Sequence, residues 1–490
     1  MCGSLAAAAH GGELPATIDR VLAGHHIGPD EVSIVVQAVD SPEPVLSYLP
    51  DAPRNPASVM KLVTTWSALE LLGPTYTWPT EVYFLGDFDG RKLDGDLAIK
   101  GYGDPYLVLE DFWKLLRAVR RLGLEDIGGD LVIDDSYFDV SGEPPPGALD
   151  DQPYRTYNVV PNALLVNFKA VDFEFRADLA HGRVNVSLEP PLANLDVQNR
   201  IKLTDGPCAG YQAGISFDLE DPGLARAVLG GAFSARCGSY GLSRTVLKPD
   251  TYAYGLFETL WKETGGAFHG RLRDAVVGAD ATPALTWRSP PLAEVIRSIN
   301  KFSNNVMTRQ VLYTLAAQLR GAPGTREAGV EVVREFLSSQ GLDIGPLVME
   351  NGAGLSRGDR VSARFLADLL RRAYRSPFAA EFVSSLSLAG LDGTTRRFAG
   401  LGSAGAMHIK TGTLDNVSAL AGYVRGSDGE DYIVVVLLNA ADAHRGPGQE
   451  LQQAVLGWTG TLAQRPAIAL QTSAEESATL PVAARSPSAQ

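Results

Sequence analysis

Basic charge is scarce in this chain. Among 490 residues, 43 Lys and Arg stand against 57 Asp and Glu, for a net charge of −14, and no run of cations is long enough to follow a phosphate backbone. Nucleic acid is therefore not an expected partner. Long apolar runs are also missing: "YIVVVLLNAA" from Tyr432 falls well short of the roughly 20 residues a membrane-spanning helix needs. Cysteine is limited to Cys2, Cys208 and Cys237, too few for a disulfide-built scaffold. The last two bracket a segment of strand and turn signals, which reads either as one disulfide in an exported protein or as two unpaired thiols. The seven histidines show no zinc spacing, and His25 and His26 are adjacent instead of one helical turn apart. No metal or cofactor is expected.

What is present is more than one core usually holds, so two or three domains are expected. A helical pattern at Leu14–Ala23 leads into two β-rich runs, "EVSIVVQAVD" and "PVLSYLP", and then the helix "NPASVMKLVTTWSALELLG". From Trp78 to Gly241 short strands with Gly, Asp and Pro punctuation dominate, interrupted by the helix "LEDFWKLLRAVRRLG". Helices return at "TYAYGLFETLWKETGG", and the chain closes with the strands "GAMHIKTGTLDNVSALAGYVRG" and "DYIVVVLLNAA" and a final helix. The Pro/Ser/Ala-rich stretch 465–490 reads as a disordered tail. "MCGSLAAAAHGG" ends like a cleavage region but lacks a basic segment and a full apolar one, so it reads as a truncated signal or an added remnant.

Three short patterns carry chemistry. In the helix that opens at Asn55, with Pro56 suited to the first turn and Gly73 to the stop, Ser58 and Lys61 lie three apart and so share a face. A free lysine is only about 0.04% neutral at pH 7, but burial near a second cation frees the amine to act as a base. "NKFSNN" sets Ser303 and Asn305 at the mouth of a later helix, a hydroxyl to relay a proton and an amide to hold a carbonyl or the lysine. "HIKTGT" puts Lys410, Thr411, Gly412 and Thr413 on a strand: a cation and two hydroxyls for a carboxylate, and a glycine that lets an extended peptide lie alongside. Each pattern alone is common, as a helix cap or a turn. Together, in this order, they form the set described for penicillin-binding proteins and β-lactamases.

The 242 positions between Lys61 and Ser303 far exceed a β-lactamase's spacing. With "IKGYGDPYL", "GGDLVIDDSYF", "YNVVPNALLVN", "NGAGLSRGDRVSA" and "LAGLDGTTRRF", the chain resembles class C low-molecular-mass penicillin-binding proteins, the D-alanyl-D-alanine carboxypeptidases and endopeptidases of the penicillin-binding protein 4 type, over about Ile18–Trp458. That resemblance implies an α/β (α+β) fold: a penicillin-recognising, β-lactamase-like domain at 14–80 and 250–464, an inserted domain at 81–165 and 240–249, and a β-rich domain at 166–239 nested within it. It also implies Ser58 as nucleophile, Lys61 as its base and Ser303 as proton shuttle. Asn305 would position lysine and substrate, Lys410, Thr411 and Thr413 would hold the carboxylate, and the N–H groups of Ser58 and Thr413 would form the oxyanion hole. Members also grip a diaminopimelate side chain, for which the matching positions are Asp151 or Asp150, Arg357, Leu414 and Asp415. Asn304, Asn351 and Ala353 depart from the usual Asp, Asp and Ser.

The partners so implied are peptidoglycan stem peptides and β-lactams, in a bacterial periplasmic or extracytoplasmic setting. Carboxypeptidase and endopeptidase action both cleave after a D-alanine and are not separated by sequence; nor is oligomeric state. An efficient β-lactamase lacks an evident deacylating base here, and a non-catalytic scaffold has no need of five intact polar residues. "GLSRG" at Gly354–Gly358 matches a hydrolase nucleophile elbow, but the next helix is expected only near Ser362. His408 is expected to pack or to line the rim.

Overall fold

The computed structural model describes residues 13–208, 214–219, 225–401 and 405–462. The Ala-rich start and the tail from 465 lie outside them. A six-stranded antiparallel sheet has the order Ser387–Leu388, Met407–Leu414, Val417–Arg425, Asp431–Asn439, Val32–Ala38, Pro44–Tyr48. The N-terminal hairpin thus joins the C-terminal strands in one sheet. Alternate side chains of "YIVVVLL" enter different cores: Ile433, Val435 and Leu437 pack with the helices Lys61–Leu72, Leu292–Phe302 and Ala363–Arg375, while Val434, Val436 and Leu438 pack with Ala16–Gly24 and Pro447–Gly460. Helices on both faces explain why this strand shows no polar alternation.

The inserted part is built on a seven-stranded mixed sheet and two smaller ones. Strands Pro79–Phe88 and Lys92–Gly101 form a hairpin, and Lys92–Gly101 runs parallel to Leu131–Asp134. Ala170–Asp178 pairs with Arg183–Glu189 and with Ser239–Thr245, and Arg226–Ser234 pairs with Ile215–Leu219. Cys208 and Cys237 are bonded, with Cα atoms 5.0 Å apart. No helix among the described residues is long and apolar enough to cross a membrane.

Two expected boundaries shift. Helix Pro249–Glu263 buries Tyr252, Leu256, Phe257 and Trp261 in the core of the inserted sheets, and Leu285–Arg288 pairs with Pro79–Val82. The chain returns to the first core only with Leu292–Phe302, about forty residues later than position 250. Strand Ser239–Thr245, expected in the outer inserted domain, belongs to the sheet of the nested one. The two expected inserted domains share one contiguous core, since Leu97 and Phe112 pack in the same cluster as Phe173 and Leu229.

Candidate active site

The nucleophile segment is tighter than an ordinary helix start. The α-helix begins at Lys61, and Ala57–Met60 forms a single 3-10 turn before it. Asn55 Oδ1 accepts from the Ala57 N–H (2.8 Å), so the cap acts two residues along and turns the chain sharply, with Ala57 at φ +45°. Two glycines press on this turn. A Cβ on Gly412 would fall 2.5 Å from Pro56 O and 2.8 Å from Ser58 N, and one on Gly354 only 1.9 Å from Ala57 O. Between Arg54 and Leu69, Ser58 alone is not buried.

Lys61 is fully buried, and its Nζ lies 3.0 Å from Ser58 Oγ, 2.6 Å from Asn305 Oδ1 and 2.5 Å from Ala353 O. Burial and then Lys410 push the ammonium well below its usual range, with Asp359 opposing. Ser303 caps the end of Leu292–Phe302 in the left-handed region at φ +59°. The helix cap itself is Asn304, whose Oδ1 accepts from Met307 N, which leaves Asn305 on the first turn facing Lys61. Asn305 Nδ2 donates to Tyr157 O at 3.3 Å, which fixes the amide's orientation.

Lys410 is the second lysine of the site. It is buried, and its Nζ donates to Ser303 Oγ (2.9 Å) and Thr411 O (2.7 Å). Burial, then the Arg397 guanidinium, lower its pKa to about 7. On the outer edge of Met407–Leu414, strand Ser387–Leu388 pairs only with His408 and Ile409. Beyond them the edge from Lys410 to Leu414 has no strand partner among the described residues, and Thr413 there is exposed. Such an edge accepts an extended peptide.

The structure thus bonds Lys61 to Ser58 and to Asn305, 244 residues away, and bonds Lys410 to Ser303, with Lys410 close enough to act on Lys61 through its charge. A family model described as "D-Ala-D-Ala carboxypeptidase 3 (S13) family" matches residues 14–462. The chain belongs to this family. It is 31% identical over 449 residues to the D-alanyl-D-alanine carboxypeptidase of Actinomadura sp. (strain R39), covering 89% of this chain and 82% of that one. Penicillin binding protein 4 (dacB) from Haemophilus influenzae has the same fold, with a TM-score of 0.76 at 21% identity, over 91% of this chain and 99% of that one. Its structure complexed with a novel β-lactam gives 0.74 at 20% identity, over 91% and 100%. As an S13 member the chain is a hydrolase of the D-alanyl-D-alanine carboxypeptidase class.

The residues expected to grip a substrate side chain lie as follows. Arg357 donates from Nη1 to Asp415 O and from Nη2 to Asp415 Oδ2, both at 3.0 Å, just past Leu414 at the strand end. Asp150 is occupied by Tyr157 Oη (2.6 Å), Asn158 Nδ2 (2.9 Å) and Gln152 N (3.1 Å). Asp151 is the exposed one, at φ +57° and with no side-chain partner among the described residues. A cavity of ≈ 330 Å³ between Pro144–Leu149 and Glu350–Gly358 is lined by Arg357 but not by Asp151.

Sequence reasoning assigned no role to several contributors. The Ala353 and Tyr157 carbonyls are backbone groups without a side-chain signature. Asp359 is fully buried in the loop that crosses Lys61; its Oδ1 accepts from Glu350 N, and burial raises its pKa to about 7. Gly412 admits the nucleophile turn against the strand, a closer reason for glycine than an approaching peptide. Ser356 of "GLSRG" bonds Glu350 (2.6 Å) and receives Gly358 N (2.8 Å), and the next helix is capped at Ser362. It has no elbow geometry. His408 is held by packing, its Nδ1 at 3.1 Å from Val383 O.

Proposed function

We propose that Ser58 attacks the carbonyl between the last two D-alanines of a peptidoglycan stem peptide, with neutral Lys61 as its base. The observation that carries this reading is the hydrogen-bond arithmetic at Nζ. A neutral amine has two N–H groups and one lone pair, and two of its three neighbours, Asn305 Oδ1 and Ala353 O, can only accept. The lone pair therefore points to the one neighbour with a proton to give, the Ser58 hydroxyl. Burial next to Lys410 favours that neutral form.

As Ser58 Oγ bonds to the carbonyl carbon, its proton passes to Lys61, and the Ser58 and Thr413 N–H groups receive the oxyanion. The C–N bond then breaks, and the proton reaches the leaving amine through Ser303, which bonds Lys410 Nζ. Water hydrolyses the Ser58 ester. Lys410, Thr411 and Thr413 hold the substrate carboxylate, Gly412 keeps the strand close to the nucleophile, and Asn305 holds Lys61. Arg357 with Leu414 and Asp415, together with Asp151, receive the stem-peptide side chain. A β-lactam enters by the same route, and its tethered leaving group slows release. Both an exposed D-Ala terminus and a D-Ala cross-link meet these demands. The Cys208–Cys237 bond favours an extracytoplasmic compartment.

D-Alanine release from a diacyl-D-Ala-D-Ala peptide tests the reading. The unaltered protein is expected to turn over and Ser58→Ala to be inert; release by Ser58→Ala at an undiminished rate would refute it.

A further inference from the structure

Holding a carboxylate at the Lys410–Thr413 strand raises a question of charge. Lys410 is buried, its amine is engaged by Ser303 and Thr411 O, and with a pKa lowered to about 7 it is only partly cationic at neutral pH. It also shares a strand face with Gly412, the face against the nucleophile turn, whereas Thr411 and Thr413 point to the other face. A permanent positive charge beside the two threonines has to come from that second face.

The 3-10 turn Gly393–Phe398 brings one there. Its start is pinned by the ion pair of Lys301 with Asp392 (2.6 Å) and by Gly393, where a Cβ would fall 2.4 Å from Lys301 O. Thr394 Oγ1 then meets Thr411 Oγ1 at 2.8 Å. Side chains three apart in a 3-10 turn eclipse, so Arg397 stands on the same side as Thr394. Its Nη2 reaches Gln452 Oε1 at 3.3 Å, Gln452 Nε2 donates to Ser418 Oγ at 2.9 Å, and Ser418 is the register partner of Thr413. Arg397 therefore shares its turn with the Thr394–Thr411 contact and is linked through Gln452 to Ser418, which lies beside Thr413. Its guanidinium lies over Phe398 and has no carboxylate partner among the described residues.

We propose that Arg397 is a substrate-binding residue whose guanidinium, with the Thr411 and Thr413 hydroxyls, holds the carboxylate on the leaving side of the scissile bond. The assignment rests on the reading of Ser58 given above and deepens it: Lys410 holds the carboxylate from the nucleophile side while serving the proton path, and Arg397 adds the permanent charge from the other side. Because arginine stays protonated, carboxylate recognition persists above the pH at which Lys410 becomes neutral.

The test compares kcat/KM for a diacyl-D-Ala-D-Ala peptide with that for the matched acyl-D-alanyl ethyl thiolester, which has the same acyl half but no carboxylate. Arg397→Ala and Arg397→Gln are expected to lose about 30-fold on the peptide and less than about threefold on the thiolester, with Arg397→Lys regaining most of the loss. Equal losses on both substrates would mark Arg397 as a support of the fold, and no loss on either would remove it from the site; both overturn the proposal. If the unaltered protein turned over neither substrate, the reading of Ser58 would fall as well, a result distinct from an active enzyme indifferent to Arg397.

Discussion

Strands Asp431–Asn439 and Ala170–Asp178 are both 9 residues long, yet they are buried differently. The first hides every residue from Tyr432 to Leu438 between two layers of helices. The second hides Val171, Phe173 and Phe175 and turns Asp172 and Arg176 to solvent. On that strand Arg176 and Glu174 form a solvent-exposed pair, which contributes little to stability. In the helix-covered part, Lys61, Lys410 and Asp359 are fully buried, where an ionised group is costly. There Lys61 bonds Ser58 and Asn305, and Lys410 bonds Ser303, side chains drawn from other segments of the chain. The inserted part is held by its shared apolar core and one disulfide.

Removing the chemistry should break this contrast most. Lys61→Met is expected to slow acylation by penicillin about a thousandfold or more while leaving the thermal midpoint unchanged or raised, because a buried amine is replaced by an apolar chain; stopped-flow quenching and calorimetry read the two effects. Crowding is the next lever. Gly354→Ala meets the Ala57 carbonyl at 1.9 Å with φ at +74° and should cost about 4 kcal/mol in denaturant unfolding. Gly182→Ala in the inserted part, with open space around it and φ +64°, should cost about 1 kcal/mol.

Replacing Cys208 and Cys237 by serine opens a loop of separation 29 and should remove about 3 kcal/mol of stability from the inserted sheets, with acylation changed less than about twofold. The last expected effect, at Asp359, depends on pH. Its folded pKa of about 7 lies above its unfolded value, so the folded state keeps a proton that the unfolded chain releases, and stability falls as pH rises from about 4 to 7. Asp359→Asn should match the parent near pH 4 and exceed it increasingly as pH rises, by about 4 kcal/mol above pH 7, measured by urea midpoints.

Legibility in the sequence followed the same division. The contacts of Lys61 with Ser58 and Asn305, and of Lys410 with Ser303, join residues that the sequence singles out by side-chain type at fixed spacing. The shift of the α-helix start to Lys61 was not, because Asn55 caps either turn and only the packing of Gly354 and Gly412 selects the tighter one. The backbone acceptors of Lys61 and Asn305 come from loops 292 and 148 residues away and leave no trace in residue type. The return to the first core was misplaced at 250 because Pro249–Glu263 is amphipathic and suits either core, and the strands after it, Ala267–Phe268 and Leu272–Asp274, are too short for a period to show.

The most direct test of the central claim, that a neutral buried lysine activates Ser58, is intact-protein and peptide mass spectrometry after brief exposure to benzylpenicillin across a pH series. One adduct is predicted, located on Ser58, forming faster as pH rises along the acid limb and nearly absent in Lys61→Met. An adduct on another residue, or one forming on Ser58 at the parental rate without Lys61, would contradict it.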